Sequence, residues 1–181
     1  GDRDLAGMFS FRADRLFKTY LTFEFEAFTR QSEQFAYKNF SGTGEYMHRS
    51  TGIIAKLGQQ IERFGTLSIF MRREEINIRS ISGFGYDPGK LNISTFGFNT
   101  IIDTRDAIPF PQQGKYHEFY YEVSTGSVLN ADVSYFKTSN DFRAYWQAAP
   151  RHIFSPRILW GFSDQTTPFA EQFFRGGRDS F

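Results

Sequence analysis

The chain has no cysteine in its 181 residues, which excludes disulfide staples and thiolate metal sites. It has no long apolar run either: nothing approaches the ~18–20 residues a helix needs to cross hydrocarbon, and mean hydropathy is −0.45. No charge sign dominates. Twenty-one Lys and Arg against 20 Asp and Glu give a formal net charge of +1, so the basic excess that marks a nucleic-acid partner is missing. The opening residues, GDRDLAG, hold no basic-then-apolar leader. An exported protein of this sequence is expected to carry its targeting signal outside the chain given. His48, His117 and His152 are scattered, and no G-x-S-x-G elbow occurs, so neither a metal cluster, a catalytic triad nor a serine hydrolase site emerges.

What is abundant is aromatic: 23 Phe and 9 Tyr in a chain that is 19% aromatic. They fall in alternation. In LTFEFEAF, Leu21, Phe23, Phe25 and Ala27 share one side, and Thr22, Glu24 and Glu26 the other. That period of two predicts a β-strand. Similar runs predict about eight strands, near 5–14, 18–29, up to 60, 66–77, 91–103, 115–124, 134–148 and from 157. RQSEQFAYKNFSGTG and the stretch 78–89, with its SGFGYDPG, read as long loops, whereas ERFG and PRHI read as tight turns. The chain is therefore read as all-β, an antiparallel meander of about eight long strands within a larger transmembrane β-barrel.

The same alternation would serve a soluble sandwich with a wet face. Two features favour a barrel in a membrane. Connections mostly alternate short and long, with TRDAIPFPQQG the long exception on the short side, the rhythm of tight periplasmic turns and extended external loops. Second, long charged side chains of both signs sit in mid-strand on the polar faces: Arg12, Glu24, Glu26, Lys56, Arg72, Glu118, Glu122, Lys137 and Arg143. Strands long enough to span a bilayer with such residues on one side fit a water-filled interior laced by ion pairs. Glu24 and Glu26 are spaced as some glycosidase pairs are, but lumen charge accounts for them. SGFGYDPG has two close glycines without the strand-to-helix context of a phosphate loop.

DTRDAIPFPQQGKYHEFYYE, Asp103 to Glu122, resembles the Asp-Thr-Arg-Asp … Pro … Gly signature of the Omp85 superfamily, also called the bacterial surface antigen D15 family. PFAEQFFRGGRDSF, Pro168 to Phe181, is similar to the start of that family's sixth external loop, with Phe173, Phe174, Gly176, Gly177 and Ser180 at the matching places. RFGTLSIFMRREE resembles a family hairpin more weakly. The resemblance implies a barrel of roughly sixteen strands, of which residues 1–181 form a single partial barrel domain, incomplete at both ends.

In the signature turn, Asp103, Arg105 and Asp106 are expected to cap backbone amides and pair with one another. Pro109 and Pro111 stiffen the loop, and Gly114 admits a positive φ. The resemblance further implies that the terminal loop folds back into the barrel as a plug, where Arg175, Arg178 and Asp179 would bond lumen carboxylates such as Glu118, Glu122 or Glu24. It implies a bacterial or organellar outer-membrane location and insertion or secretion of client polypeptides. Partners would then be outer-membrane lipid, those clients and periplasmic domains of the same polypeptide. No cofactor and no enzyme activity are expected. Two alternatives stay open: the translocating barrel of a patatin-like phospholipase fusion, and a general diffusion porin.

Overall fold

The computed structural model describes residues 5–38, 41–83, 88–126, 130–168 and 171–173. Nine strands form an antiparallel sheet: β1 (Leu5–Leu16), β2 (Leu21–Lys38), β3 (Ser41–Ile61), β4 (Gly65–Gly83), β5 (Gly89–Asp103), β6 (Gly114–Ser124), β7 (Tyr135–Ala149), β8 (His152–Phe154) and β9 (Arg157–Ser163). Consecutive strands pair in order to β7, which then pairs with both β8 and β9. Among the described residues β1 and β9 do not meet, so the sheet is open.

Two stretches expected as loops are strand. Gln31–Lys38 extends β2 and pairs with the start of β3, with one register shift between Ala36 and Tyr37, and Ile78–Gly83 extends β4. The apolar period fades there, Glu33 sharing a side with Phe35 and Ser80 with Ile78, while backbone pairing continues regardless of what the side chains meet. The expected PRHI turn likewise contains the start of β8. Phe84 to Asp87, inside SGFGYDPG, lie outside the described residues.

The register separates the two faces cleanly. On one, Phe23, Leu57, Ile69 and Phe98 align across β2 to β5, as do Phe25, Ala55, Met71 and Phe96. This side is open: Phe9, Phe11, Leu67, Ile69, Met71 and Phe162 are all exposed. Aromatic rings run along it without a break, from Phe98 to Tyr121 (5.6 Å), Tyr121 to Phe136 (6.5 Å) and Phe136 to Phe162 (5.6 Å). Among the described residues no helix is long and apolar enough to cross a membrane, and an apolar belt left open is what a sheet facing hydrocarbon requires.

The opposite face carries the charges and, paradoxically, most of the buried side chains. The sheet curls towards it, so residues two strands apart touch. Phe70 of β4 stacks on Tyr120 of β6 at 5.5 Å, passing over Gly97 of β5. A Cβ on Gly97 would lie 2.5 Å from the Phe70 ring, so this crossing needs glycine. Ile76, Ile93 and Tyr135 form a small buried cluster on the same face, with Ile78, Leu91 and Val133 packed against it.

Candidate functional site

The centre of the charged face is Arg72. Alternation on β4 points it inward between Phe70 and Glu74, and the small neighbour Thr95 on β5 leaves its guanidinium room to reach across. Nη1 donates to Glu74 at 2.9 Å and to Glu171 Oε1 at 3.0 Å. Nη2 donates to Glu171 Oε2 at 2.9 Å and to Glu122 Oε1 at 3.1 Å. The two-pronged grip on Glu171 is the fork geometry at which arginine excels. Lys137, opposite Glu122 on β7, adds a second cation, 2.8 Å from Glu171 and 3.4 Å from Glu122.

Two tyrosines complete the ring. Tyr120 and Tyr135 each donate a hydroxyl hydrogen bond to Glu122, whose side chain is wholly buried. Three carboxylates thus share two cations and two phenols, a formal excess of one acid. Arg72 Nε, Thr95 Oγ1 and His48 Nε2 are buried nearby with no hydrogen-bond partner among the described residues. Glu171 comes from the chain beyond β9, not from the sheet. It is therefore the point at which the segment 171–173 is pinned onto the charged face, and Phe173 lies with its ring centroid 5.9 Å from Lys137 Nζ.

Every mid-strand charge expected on the polar side is on this face, but they do not form one network. Arg72 and Glu122 meet directly. Glu118 accepts from Asn99 at 3.1 Å and Tyr116 at 2.6 Å. Arg143 and Arg157 both hold Asp141. Arg12 turns to Asp14 and Glu26 to Arg30. Glu24 and Lys56 instead line two cavities of about 330 and 370 Å³ below Arg72, which reach from Tyr120 to Gln60. Residues 174–181, which include Phe174, Arg175, Gly176, Gly177, Arg178, Asp179 and Ser180, lie outside the described residues. The sequence reading missed Glu171, the carboxylate just before the aromatic pair. A lone acid beside a loop motif offers no signal of its own, because its partners lie on strands far away in the chain.

The signature turn is a second ordered unit at the opposite end of the strands. Arg105 Nε and Nη2 donate to Asp103 at 2.8 and 2.6 Å, and its guanidinium lies 4.8 Å from the Tyr116 ring. Asp106 Oδ1 accepts the backbone amides of Gln112 and Gln113 at 2.9 and 3.2 Å. Gly114 sits at φ +105°, and a Cβ there would strike the Thr104 carbonyl. Pro111 is buried, whereas Ile108 and Phe110 project from the tip.

The two amides hold the Asp106 carboxyl below its ordinary range of 3.8. A depressed carboxyl contributes order that is complete above the unfolded pKa and disappears as pH falls through the folded one. Asp106→Ala is therefore expected to raise hydrogen exchange at the Gln112 and Gln113 amides at neutral pH. The unsubstituted chain should show the same loss of protection, corrected for intrinsic rates, only below about pH 4. Equal protection in both chains at pH 7 would dismiss the carboxylate as the turn's clasp.

Among the described residues no group of His, Cys, Asp and Glu is arranged to hold a metal ion. A family model described as the Omp85 superfamily domain matches residues 1–181. No curated protein sequence matches. Among solved structures, the crystal structure of BamA from Haemophilus ducreyi lacking POTRA domains 1-3 superposes with a TM-score of 0.81 at 14% identity, over 98% of this chain and 37% of that one. At that identity the likeness shows a shared fold. The chain spans little more than a third of the structure it matches.

Proposed function

The chain belongs to the Omp85 superfamily, and from that premise we propose that it is the inner barrel segment of an outer-membrane factor that inserts or secretes other polypeptides. An outer-membrane location follows from the family and the barrel fold. We read the charged face as the lumen wall and residues 1–181 as part of one barrel domain in a longer polypeptide.

The observation that carries the reading is Glu171. The chain leaving β9 is drawn back onto the charged face by Arg72 and Lys137, which supports a lumen closed by the protein's own loop. A passive pore gains nothing from that, whereas a translocator needs a closed resting state. The mechanism is free of bond chemistry. The buried ion cluster holds the loop. A client strand would then add to an exposed sheet edge through backbone hydrogen bonds, at strands of the barrel other than these.

Depleting the full-length polypeptide in its host is the test. Folded, heat-modifiable outer-membrane barrels should decline broadly while their unfolded precursors accumulate in the periplasm. Loss of one secreted product, with barrel proteins unaffected, would replace general assembly by a dedicated-passenger role. Unchanged barrels and unchanged secretion would reject both.

A further inference from the structure

Above the apolar belt the open face changes chemistry in register. The last wholly apolar row is Phe25, Ala55, Met71 and Phe96; the next aligns Ala27, Ile53, Arg73 and Ser94. Thr29, Thr51, Glu75 and Asn92 follow, then Gln31, Arg49, Asn77 and Lys90, and Arg79 stands one row further beside Met47. Rows on one face are about 6.6 Å apart along a strand. Arg73 therefore stands one row beyond the hydrocarbon edge, and Arg49 and Arg79 three and four rows beyond it. These rows lie at the end opposite the tight turns, which is the external side of such a barrel.

Charge on these rows is unbalanced. Arg49, Arg73 and Arg79 are exposed and have no carboxylate partner among the described residues. Glu75 is held by Lys90 at 3.1 Å, and Asp132 accepts both amides of Asn92, at 2.7 and 3.0 Å. Glu33, beside Met47, is the remaining acid on these rows. On Arg73's own row and the one beyond it, the small residues Gly7, Ala27, Thr29 and Thr51 keep the surface low, leaving a depression of about 680 Å³ beside Arg73, with Phe9 and Ile53 on its membrane side and Glu75 and Asn92 on the other. Above it, Arg49 and Arg79 flank a niche of about 60 Å³ completed by Gln31, Asn77 and Met47. The niche has room for one tetrahedral oxyanion.

We propose that this face binds a phosphate-bearing lipid of the external leaflet. Its acyl chains would lie on the apolar rows below, against Phe25 and Met71, its phosphate on Arg73 in the depression, and a further anionic group of its headgroup between Arg49 and Arg79. Apolar rows, boundary cation and upper anion niche follow the order in which an anionic amphiphile presents its parts. Guanidinium forks bind phosphate oxygens in pairs. The proposal rests on the outer-membrane reading above.

The test reconstitutes the full-length polypeptide in phosphatidylcholine nanodiscs doped with bisphosphorylated lipid A and measures retained lipid by native mass spectrometry. Lipid A should be enriched over its bulk fraction. Each guanidinium near the surface contributes about a fivefold preference for anionic lipid. Arg73→Gln should therefore lower the enrichment about fivefold, and the triple change of Arg49, Arg73 and Arg79 to Gln roughly 100-fold. Arg63→Gln, in the turn at the other end, should leave it unchanged. Unaltered enrichment in the triple variant, or displacement by millimolar inorganic phosphate, overturns the lipid assignment. Should the triple variant not fold, the salt dependence of enrichment in the unsubstituted protein decides: a decline with salt supports the site and constancy overturns it. Failure of the outer-membrane reading would show separately, as no heat-modifiable barrel in any bilayer.

Discussion

Replacing Arg72 by methionine is expected to lower barrel stability by about 3–5 kcal/mol, the usual cost of removing one partner from a buried ion cluster. The reason is arithmetic of charge in a small space. Glu74, Glu122 and Glu171 all accept from one guanidinium, and their side chains are 7%, 0% and 7% exposed. Without it, Lys137 still reaches Glu122 and Glu171, but Glu74 loses its ion-pair partner and three carboxylates face one cation. Methionine keeps much of the side-chain volume, so the loss reads charge and hydrogen bonding more than a cavity. Arg72→Lys should fall between the two. It restores the charge but cannot hold Glu171 by two prongs while reaching Glu74 and Glu122. The measurement is the denaturant midpoint of the heat-modifiable folded form. A midpoint within error of the unsubstituted protein for Arg72→Met would remove the cluster from any account of stability.

Glu171→Gln should have its largest effect elsewhere. The sheet keeps its hydrogen bonds and its apolar belt, so the barrel should fold. What goes is the anchor: Glu171 accepts two bonds from Arg72 and one from Lys137 through its carboxylate, and a weaker one from Lys137 through its backbone oxygen at 3.4 Å. Charge-assisted bonds are roughly twice as strong as neutral ones. Converting the acid to an amide should shift loop docking by about 2–3 kcal/mol, some 30- to 150-fold in the docked-to-undocked ratio. In planar bilayers the full-length variant should conduct more, and for longer openings, than the parent. If the two residues act as one latch, Arg72→Met combined with Glu171→Gln should open the lumen no further than the stronger single change, a coupling above about 0.5 kcal/mol. Strict additivity would show that Arg72 and Glu171 act independently, and identical conductance in all four proteins would end the plug account.

Phe23, Phe25, Leu67 and Ile69 lie together on the open side, and Glu24 and Arg72 on the other, as their alternation implies. This was legible because the two-residue period is a local property of any extended chain. The turn from Asp103 to Gly114 was legible too, since its clasp residues lie within a dozen positions of one another. The reach of β2 and β3 beyond the belt was not, because polar residues enter there and break the apolar rhythm while the ladder continues.

The sequence by itself therefore determined which side of each strand is oily and which is ionic, where the tight turns fall, and the family to which those turns belong. Only the folded sheet decided which ionic residues meet. Arg72 and Glu122 are 50 residues apart, and Arg72 and Glu171 are 99 apart. Their encounter depends on the curl of the sheet, on the slender neighbours Thr95 and Gly97 across which side chains can pass, and on a loop returning from β9. Periodicity assigns a side chain to a face, but curvature and register assign it a partner, and those come from all the strands acting together.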